Sequence, residues 1–384
     1  ISKDNRGYFP LQLEFCTIEF LGCVLLGILT LHGRWIMTAI QHIERLARSR
    51  SEQAVAVIRN VQQMSNIPMQ EMQAALKQLL HCGRVALHFH PDRIDSRGIT
   101  VAEGLLRDGQ YRSQFETHIS NGQLSPELGG PRDHWENQLF GDAYKGTKSR
   151  PKYGALDLGM WQDGPAPRFG SCYLLTHSQL LTRSTFTYLD SYRNPKEKGT
   201  LSCFDDVLAA LLTESFERHY ALGKVDFKPL NVIHYLAHQL NSSLLSRFER
   251  PMSNNLDHYI EAQIHGDVSL DEDIAMLVAD PSFKGTEIGA TLSKLCDRYD
   301  IELQYHNGFS LHTAQIPSDF RGPTMPSLAS RIAIDERVDA YAIGVAARDL
   351  YHSPQHWRER GNRAQVAHEL KLLWHVLVKY GAQQ

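Results

Sequence analysis

Polar side chains that could take part in chemistry stand close together near residue 90. Residues 87–93 read LHFHPDR, and the alternation of a β-strand puts His88 and His90 on one face, with Phe89 on the other. Two imidazoles followed by the carboxylate of Asp92 could bind zinc, hold a sugar hydroxyl or cap a loop. The alternative for each imidazole is a structural histidine that is hydrogen-bonded inside the protein.

A second stretch pairs an aromatic ring with a glycine. Residues 150–156 read RPKYGAL, in which the ring of Tyr153 offers a stacking face and Gly154 lets the backbone approach a flat ligand closely. The alternative is a tyrosine half buried where a loop meets a strand. Arg93, at the end of the first stretch, also has two interpretations, because it could contact a ligand or form a surface ion pair.

A third stretch places a carboxylate in the middle of a predicted strand. Residues 259–266 read YIEAQIHG, so strand alternation puts Glu261, Gln263 and His265 on one face and apolar side chains on the other. An acidic residue is unfavourable inside a strand and costly if it is buried without a partner. Because such local conflicts are expected at functional sites, we predict a functional role for Glu261.

The same histidines permit a metal-dependent hydrolase as an alternative. His88, His90 and Asp92 would begin a ligand set, because an open catalytic zinc site needs three protein ligands from suitably placed elements. The distant histidines that could complete the set are His118, His234 and His265. A third alternative is a non-catalytic interaction protein whose helical ends form the working surface.

Composition and short motifs argue against several classes of protein. The chain is 42% apolar and 22% charged, as in an ordinary globular protein, and its net charge of -3 gives no global reason to expect a nucleic-acid partner. It contains no GxxxxGK[ST], no strand-to-helix GxGxxG and no GxSxG. Its six cysteines are too few and too far apart for a disulfide framework, which favours a reducing, cytoplasmic location, with secretion as an effector left open. None of them forms a CxxC pair, which argues against a zinc knuckle or a redox pair.

The N-terminal region contains an apolar run over residues 20–31. A helix of that length is too short to span about 30 Å of hydrocarbon. Charged residues of both signs precede the run, and Met37 stands just before a well-patterned helix. We predict that residues 1–36 are an extension outside the fold, with a membrane signal as the alternative, and we expect no stable membrane association.

Hydrophobic periodicity indicates helices towards both ends of the chain and strands between them. Helical spacing over residues 38–81, broken at 66–68, predicts a helical hairpin. The predicted strands are 84–90, 170–176, 183–188, 259–265 and 302–306, and the predicted helical stretches are 205–220, 231–250, 286–299, 328–350 and 365–380. The Gly-, Pro- and charge-rich segment 122–167 exceeds an ordinary connection, and loops of that length are often functional.

These elements predict an α+β protein in which a mixed or split β-sheet core is flanked by N-terminal and C-terminal helical segments. The expected parts are an N-terminal helical segment (37–82), an α+β core (83–281) with a helical insertion (205–250), and a mostly helical C-terminal segment (282–384). The core is expected to carry one catalytic or nucleotide-binding face.

The ordered set His90, Tyr153 and Glu261 resembles the His-Tyr-Glu constellation of the diphtheria-toxin-like ADP-ribosyltransferases, over short strand motifs only. The resemblance implies an enzyme that cleaves the nicotinamide–ribose bond of NAD and passes ADP-ribose to an acceptor, with no metal. It also implies that His90 holds a ribose hydroxyl, Tyr153 stacks on nicotinamide and Glu261 orients the reacting ribose. Pro91 departs from the small residue usual after the histidine, and the gaps between the stretches are long.

A rival mapping onto the same superfamily uses its Arg-Ser-Glu pattern, with Arg93, then Ser184-Thr185, and the same Glu261. Under the resemblance, the further NAD-binding candidates are His88, Arg93, Gly154, Ser184, Thr185 and Gln263. NAD is then the substrate, and the acceptor could be a protein, a nucleic acid, a small molecule or water. NAD cleavage passes through an oxocarbenium-like state, which a carboxylate beside the ribose stabilises.

Across residues 40–381 the sequence also resembles a bacterial family known only as a domain of unknown function. The matching stretches are LHFHPDR, QFETHISNG, RPKYGAL, STFT, YIEAQIHG, DPSFKGT and DFRGP. This resemblance is the more specific of the two, and it implies no particular activity.

Overall fold

The computed structural model describes residues 31–119 and 126–382, with side chains described from residue 38 onward. Of the expected N-terminal extension, residues 1–30 lie outside the described residues, and residues 31–36 belong to the first helix. Within the described ranges, no helix combines the length and the apolar character needed to cross a bilayer.

Helices precede, interrupt and follow a central set of strands, which makes the fold α+β as expected. The helices are α1 (Leu31–Arg48), α2 (Ser51–Met64), α3 (Met69–Cys82), α4 (Val101–Asp108), α5 (Gln114–Thr117), α6 (Pro131–Leu139), α7 (Asp205–Arg218), α8 (Pro229–Gln239), α9 (Leu270–Asp273), α10 (Glu287–Tyr299), α11 (Met325–Ile332), α12 (Ala340–His352) and α13 (Arg363–Tyr380). The strands are β1 (Val85–Phe89), β2 (Lys152–Leu156), β3 (Cys172–Thr176), β4 (Ser184–Tyr188), β5 (Lys198–Thr200), β6 (Tyr220–Ala221), β7 (Lys224–Val225), β8 (Ile260–Ile264), β9 (Ile274–Ala279), β10 (Glu302–Tyr305), β11 (Leu311–His312) and β12 (Arg337–Val338).

Eight of these strands form one mixed sheet in the order β10-β9-β3-β1-β2-β8-β4-β5. The β9–β10 pair is parallel, and the other neighbouring pairs are antiparallel. The three strands that carry the candidate stretches, β1, β2 and β8, are therefore direct neighbours. Their register aligns Ala86 with Ala155, and Ala155 with Glu261.

The two faces of the sheet differ in character. On one face, Val85, Leu87, Ile260, Ala262 and Ile264 belong to the main hydrophobic core, to which α2, α3, α7 and α8 contribute. Successive strand residues point to opposite faces, so the residues between them lie on the other face. The Tyr153↔Gln263 and Thr185↔Gln263 pairs extend this second, polar face across β2, β8 and β4. The side-chain alternation expected for residues 259–266 is confirmed.

Helical periodicity explains how the N-terminal helices join the core. In α2 and α3, buried apolar side chains recur three to four residues apart, with Ala54, Ile58 and Val61 on the first helix. The helical hairpin predicted for residues 38–81 is wrong, because this region forms three helices. The break lies at Arg50, whose Nε donates to Asp206 on α7, and Ser51 Oγ donates to Asp205 at 3.0 Å. Contacts with a distant helix thus set this boundary.

The predicted helix over 328–350 is also wrong in its middle. It is divided into α11 and α12 by a turn at Asp335 and Glu336, which have positive φ, and by the short strand β12, which pairs with β11. Asp339 begins the second helix, because its Oδ1 accepts a hydrogen bond from the backbone N–H of Ala342 at 2.9 Å. Residues 231–250 were expected to be one helical stretch, but the α-helix there, α8, ends at Gln239.

Candidate functional site

A cavity of about 410 Å³ lies over the polar face of β1, β2 and β8, within the size range of small-ligand pockets. His90, Tyr153 and Glu261 all line it, although 63 residues or more separate each from the next along the chain. Other sequence candidates that line it are His88, Arg93 and Gly154. The candidates Ser184, Thr185, Gln263 and Asp92 do not belong to this lining.

Glu261 is buried at the base of the cavity. Its Oε1 accepts hydrogen bonds from Ser191 Oγ and from Gln263 Nε2, the latter at 3.0 Å. Burial, together with the nearby negative charge of Asp190, raises the pKa of Glu261 to about 7. Both Asp190 and Ser191 line the cavity. The carboxyl group is thus held in one orientation and exchanges its proton near neutral pH.

A chain of hydrogen bonds behind Glu261 fixes its neighbours. Tyr144 Oη lies 2.6 Å from His265 Nδ1, and His265 Nε2 lies 3.0 Å from Thr185 Oγ1. Thr185 Oγ1 donates to Gln263 Oε1 at 2.8 Å, so its oxygen accepts from His265 Nε2–H. Burial lowers the pKa of His265 to about 3, which keeps the ring neutral. This series of hydrogen bonds ends at Glu261. Thr185 and Gln263 therefore act on the cavity through Glu261.

Tyr153 contributes to an aromatic wall of the cavity. Its ring centroid lies 5.9 Å from that of Trp135 on α6, and the Arg132 guanidinium lies 5.1 Å from the Tyr153 ring. Tyr153 Oη donates to Glu136 at 2.9 Å. Glu136 is fully buried and also accepts from Arg132 and Arg150, each at 3.2 Å. These contacts lock the tyrosine ring against α6 and leave an aromatic surface towards the cavity.

The two histidines of the first stretch differ in their contacts. His88 Nδ1 lies 3.4 Å from the carbonyl oxygen of Gly170, and its Nε2 accepts from the backbone N–H of Ala166 at 3.3 Å. Backbone groups thus engage both ring nitrogens, and burial lowers the pKa of His88 to about 3. His90 contacts Ser171 Oγ through Nδ1 at 3.4 Å and packs edge-on against Trp374. The Nε2 of His90 makes no hydrogen bond with the described residues.

The residues of the metal alternative are not arranged as a ligand set. Within the described ranges, the donor atoms of His88, His90 and Asp92 do not form a group of three suited to one ion. Asp92 lies beneath α12, where a Cβ added at Gly344 would be 1.3 Å from Asp92 Oδ2. Of the histidines considered as completing ligands, His265 is engaged by Tyr144 and Thr185, and His234 lies on α8 near Glu71.

Two other candidates have structural explanations. Ser184 Oγ donates to the carbonyl oxygen of Leu180 at 2.7 Å, on the apolar side of the sheet. A Cβ at Gly154 would lie 2.6 Å from Val85 Cγ1 and 2.7 Å from the carbonyl oxygen of Ala86. The neighbouring strand β1 therefore requires glycine at position 154.

Sequence reasoning missed the charge of the cavity and one of its walls. The described lining contains nine Lys and Arg side chains against four Asp and Glu; the cations are Arg93, Arg97, Arg112, Arg132, Lys152, Arg168, Arg193, Arg321 and Lys371. Helix α13 contributes His368, Lys371, Leu372 and His375, which lie three to four residues apart and so share one helix face. In the sequence, polar residues in a stripe along a largely apolar helix could have indicated that α13 contributes to a site.

A family model described as "Protein of unknown function (DUF3626)" matches residues 84–380. The chain belongs to this family. The match begins immediately before β1 and ends at the last residue of α13, so the matched range includes the eight-stranded sheet and the C-terminal helices. The expected membership of a family of unknown function is confirmed. No curated protein matches the chain.

Proposed function

We propose that this protein is an NAD-using ADP-ribosyltransferase-like enzyme that cleaves the nicotinamide–ribose bond. The observation that carries the proposal is the convergence of His90, Tyr153 and Glu261 on one cavity from three neighbouring strands. The sequence alone predicted these three residues as catalytic candidates. A different order of strands in the sheet would have separated them. A predominantly cationic lining also suits a ligand that carries a diphosphate.

Each residue has a physical role in the proposed reaction. The glycosidic C–N bond breaks with its electron pair leaving on neutral nicotinamide, and ionised Glu261 stabilises the positive charge that develops on the ribose. The acceptor nucleophile then bonds to the same ribose carbon and loses its proton. Tyr153 and Trp135 offer an aromatic surface for nicotinamide, and His90 Nε2 is available for a ribose hydroxyl.

The acceptor remains the open part of the proposal, since a protein, a nucleic acid, a small molecule or water could attack the same carbon. Transfer and hydrolysis share the bond-breaking step and both release nicotinamide. Nicotinamide release is therefore the measurement that tests the function without knowledge of the acceptor.

The test compares nicotinamide release from NAD by the wild type and by Glu261→Gln. The substitution keeps the shape of the side chain but removes the charge, so we expect release to fall about a hundredfold to a thousandfold. Glu302→Gln is the matched control, because Glu302 is an exposed carboxylate on the edge strand β10 of the same sheet. Melting curves establish that both variants fold.

Wild-type rates in folded Glu261→Gln would overturn the proposed mechanism. No release by any form, across a range of acceptors, would favour a non-catalytic interaction protein. Zinc- or manganese-dependent hydrolysis that is lost in His90→Ala would instead favour the metal-dependent hydrolase.

A further inference from the structure

Four cationic side chains from separate parts of the chain meet along one part of the cavity. Arg93 follows β1, Arg168 lies in the turn before β3, Arg321 precedes α11, and Lys371 belongs to α13. Their charges influence one another, because burial and the positive charges of Arg168, Arg93 and Arg321 together lower the pKa of Lys371 to about 8, against the opposing effect of Asp190. The C-terminal segment thus supplies two of the four positive charges.

The hydrogen-bonding capacity of the three arginines is only partly used. The Nε atoms of Arg93, Arg168 and Arg321 are buried and have no hydrogen-bond partner among the described residues. Within those residues, Arg93 and Arg321 also have no carboxylate within 4.0 Å, whereas Arg168 pairs with Asp257. Crowding cations in a poorly hydrated place is unfavourable unless an anion neutralises them.

We propose that Arg93, Arg168, Arg321 and Lys371 form a binding subsite for a phosphate or diphosphate group. A single carboxylate has too little charge for four convergent cations, whereas phosphate oxygens accept several guanidinium hydrogen bonds at once. The subsite does not depend on NAD cleavage. Under the proposed function, its ligand would be the diphosphate of the dinucleotide, held by the C-terminal segment.

The test is titration of the protein with inorganic pyrophosphate, in which binding is measured by calorimetry and by the change in melting temperature. Arg321→Gln and Lys371→Gln should weaken pyrophosphate binding roughly tenfold to a hundredfold, because each removes a charged hydrogen-bond donor. Arg358→Gln is the matched control, since it removes one exposed positive charge from the same segment but does not line the cavity. ADP-ribose and nicotinamide serve as parallel probes.

Pyrophosphate and ADP-ribose binding that both variants weaken, with nicotinamide unaffected, supports the subsite. Wild-type affinity for pyrophosphate in Arg321→Gln and Lys371→Gln, or no pyrophosphate binding by the wild type, overturns it. If pyrophosphate binds as expected but no nicotinamide is released from NAD, the subsite stands and the proposed function fails, so the two failures are distinguishable.

A separate observation points to a metal site on the helical side of the molecule. Glu71 on α3 and the pair His234 and His238 on α8 place their donor atoms within 4.8 Å of one another. The histidines are four residues apart, so they lie one turn apart on the same helix face. Glu71 Oε2 lies 3.5 Å from His234 Nδ1 and 3.0 Å from His238 Nε2. None of the three residues lines the cavity.

We infer that this triad binds a divalent transition-metal ion of the zinc class and links α3 to α8. Two imidazoles and one carboxylate are typical ligands of zinc, and exposed positions leave room for water as the fourth ligand. Because the ligands come from two helices, a bound ion stabilises the folded state by mass action.

Zinc titration with melting curves and calorimetry tests the metal site. We expect the wild type to bind one zinc ion with a rise in melting temperature, and His238→Gln and Glu71→Gln to lose both effects. His312→Gln is the control, because His312 belongs to an exposed histidine–glutamate pair with Glu336 for which the described residues supply no third ligand. Equal zinc binding by wild type and His238→Gln, or none by the wild type, would disprove the site.

Discussion

At the scale of single residues, burial of Glu261 makes protein stability depend on pH. The folded protein raises the pKa of this carboxyl from its ordinary value of 4.5 to about 7, because burial disfavours the charged form. The folded state therefore holds the proton more tightly than the unfolded chain. The resulting stability is fully present below about pH 4.5 and is lost as the pH rises through 7.

Glu261→Gln should remove this pH dependence. Relative to the wild type, the variant should gain on the order of 3 kcal/mol in the free energy of unfolding between pH 4 and pH 8. Denaturant unfolding at both pH values measures the change, with Glu302→Gln as an exposed control. If the free energy of unfolding changes with pH in the same way in the wild type and in Glu261→Gln, the fold does not perturb the pKa of this carboxyl.

Thr185 tests whether the hydrogen-bond chain positions Glu261. Thr185→Val keeps the volume but removes the hydroxyl that joins His265 to Gln263, whereas Thr185→Ser keeps the hydroxyl. Thr185 does not line the cavity, so we expect kcat for nicotinamide release to fall roughly tenfold to a hundredfold in Thr185→Val with KM unchanged. Thr185→Ser should restore most of the rate. Equal rates in both variants would assign Thr185 a purely structural role.

Some of these residues could be found in the sequence and others could not. Glu261 stood out because a carboxylate in mid-strand conflicts with strand preference. Ser191 and Asp190 carried no such signal, since a Ser and an Asp before a turn are ordinary there. Gln263 and Thr185 were predicted as NAD-binding residues, but only the fold reveals that neither lines the cavity, that Gln263 contacts Glu261 and that Thr185 contacts Gln263.

At the scale of elements, α12 packs so closely over Asp92 that the single methyl group added by Gly344→Ala should destabilise the fold. Gly344→Ala would place its Cβ 1.3 Å from Asp92 Oδ2, so the helix or the carboxylate must move. We expect a loss of about 1–3 kcal/mol in the free energy of unfolding. In an Asp92→Ala background the obstacle is gone, and the same substitution should cost much less. Equal costs in both backgrounds, measured by denaturant unfolding, would contradict this packing.

Two of the three strands that carry the candidate site, β1 and β8, were predictable, as were β3 and β4, because they have flanking turn signals or clear alternation. Strand β2 was not predicted, because it lies in the Gly-, Pro- and charge-rich segment 122–167 that was interpreted as a long connection. Strand β9 was missed. Its sequence IAMLVA is apolar on both faces, and periodicity alone cannot distinguish such a run from a buried helix segment. The β1-β2-β8 adjacency was also beyond the sequence, because long-range pairing decides which strands become neighbours.

At the scale of the whole molecule, ligand binding should appear as thermal protection. If NAD binds only the folded protein, a concentration one hundred times the Kd adds about 2.7 kcal/mol of stability, which corresponds to a rise of several degrees in melting temperature. Glu261→Gln should show the same rise, because its proposed defect lies in bond cleavage. An unchanged melting curve at millimolar NAD would contradict NAD binding by this cavity.

The C-terminal helix α13 packs directly on the sheet region that was predicted to form a separate core. The sequence suggested a catalytic core ending near residue 281 with a flanking helical segment. In the structure, Trp374 packs against His90 and donates its indole N–H to the carbonyl oxygen of Pro167 at 2.8 Å. The matched family unit extends through the same helix. Long-range contacts of this kind leave no local pattern for sequence reasoning to detect.

The position of α13 has a consequence for biosynthesis. Glu261, Tyr153 and His90 all emerge from the ribosome well before the helix that carries Lys371 and His375. A nascent chain can therefore pair its strands while one wall of the cavity is still absent. Chains shortened by premature termination or by C-terminal proteolysis would keep the sheet residues and lose that wall. The cavity wall is therefore complete only after α13 has been synthesised, and we expect a chain truncated before Arg363 to lose any ligand contact that depends on Lys371 and His375.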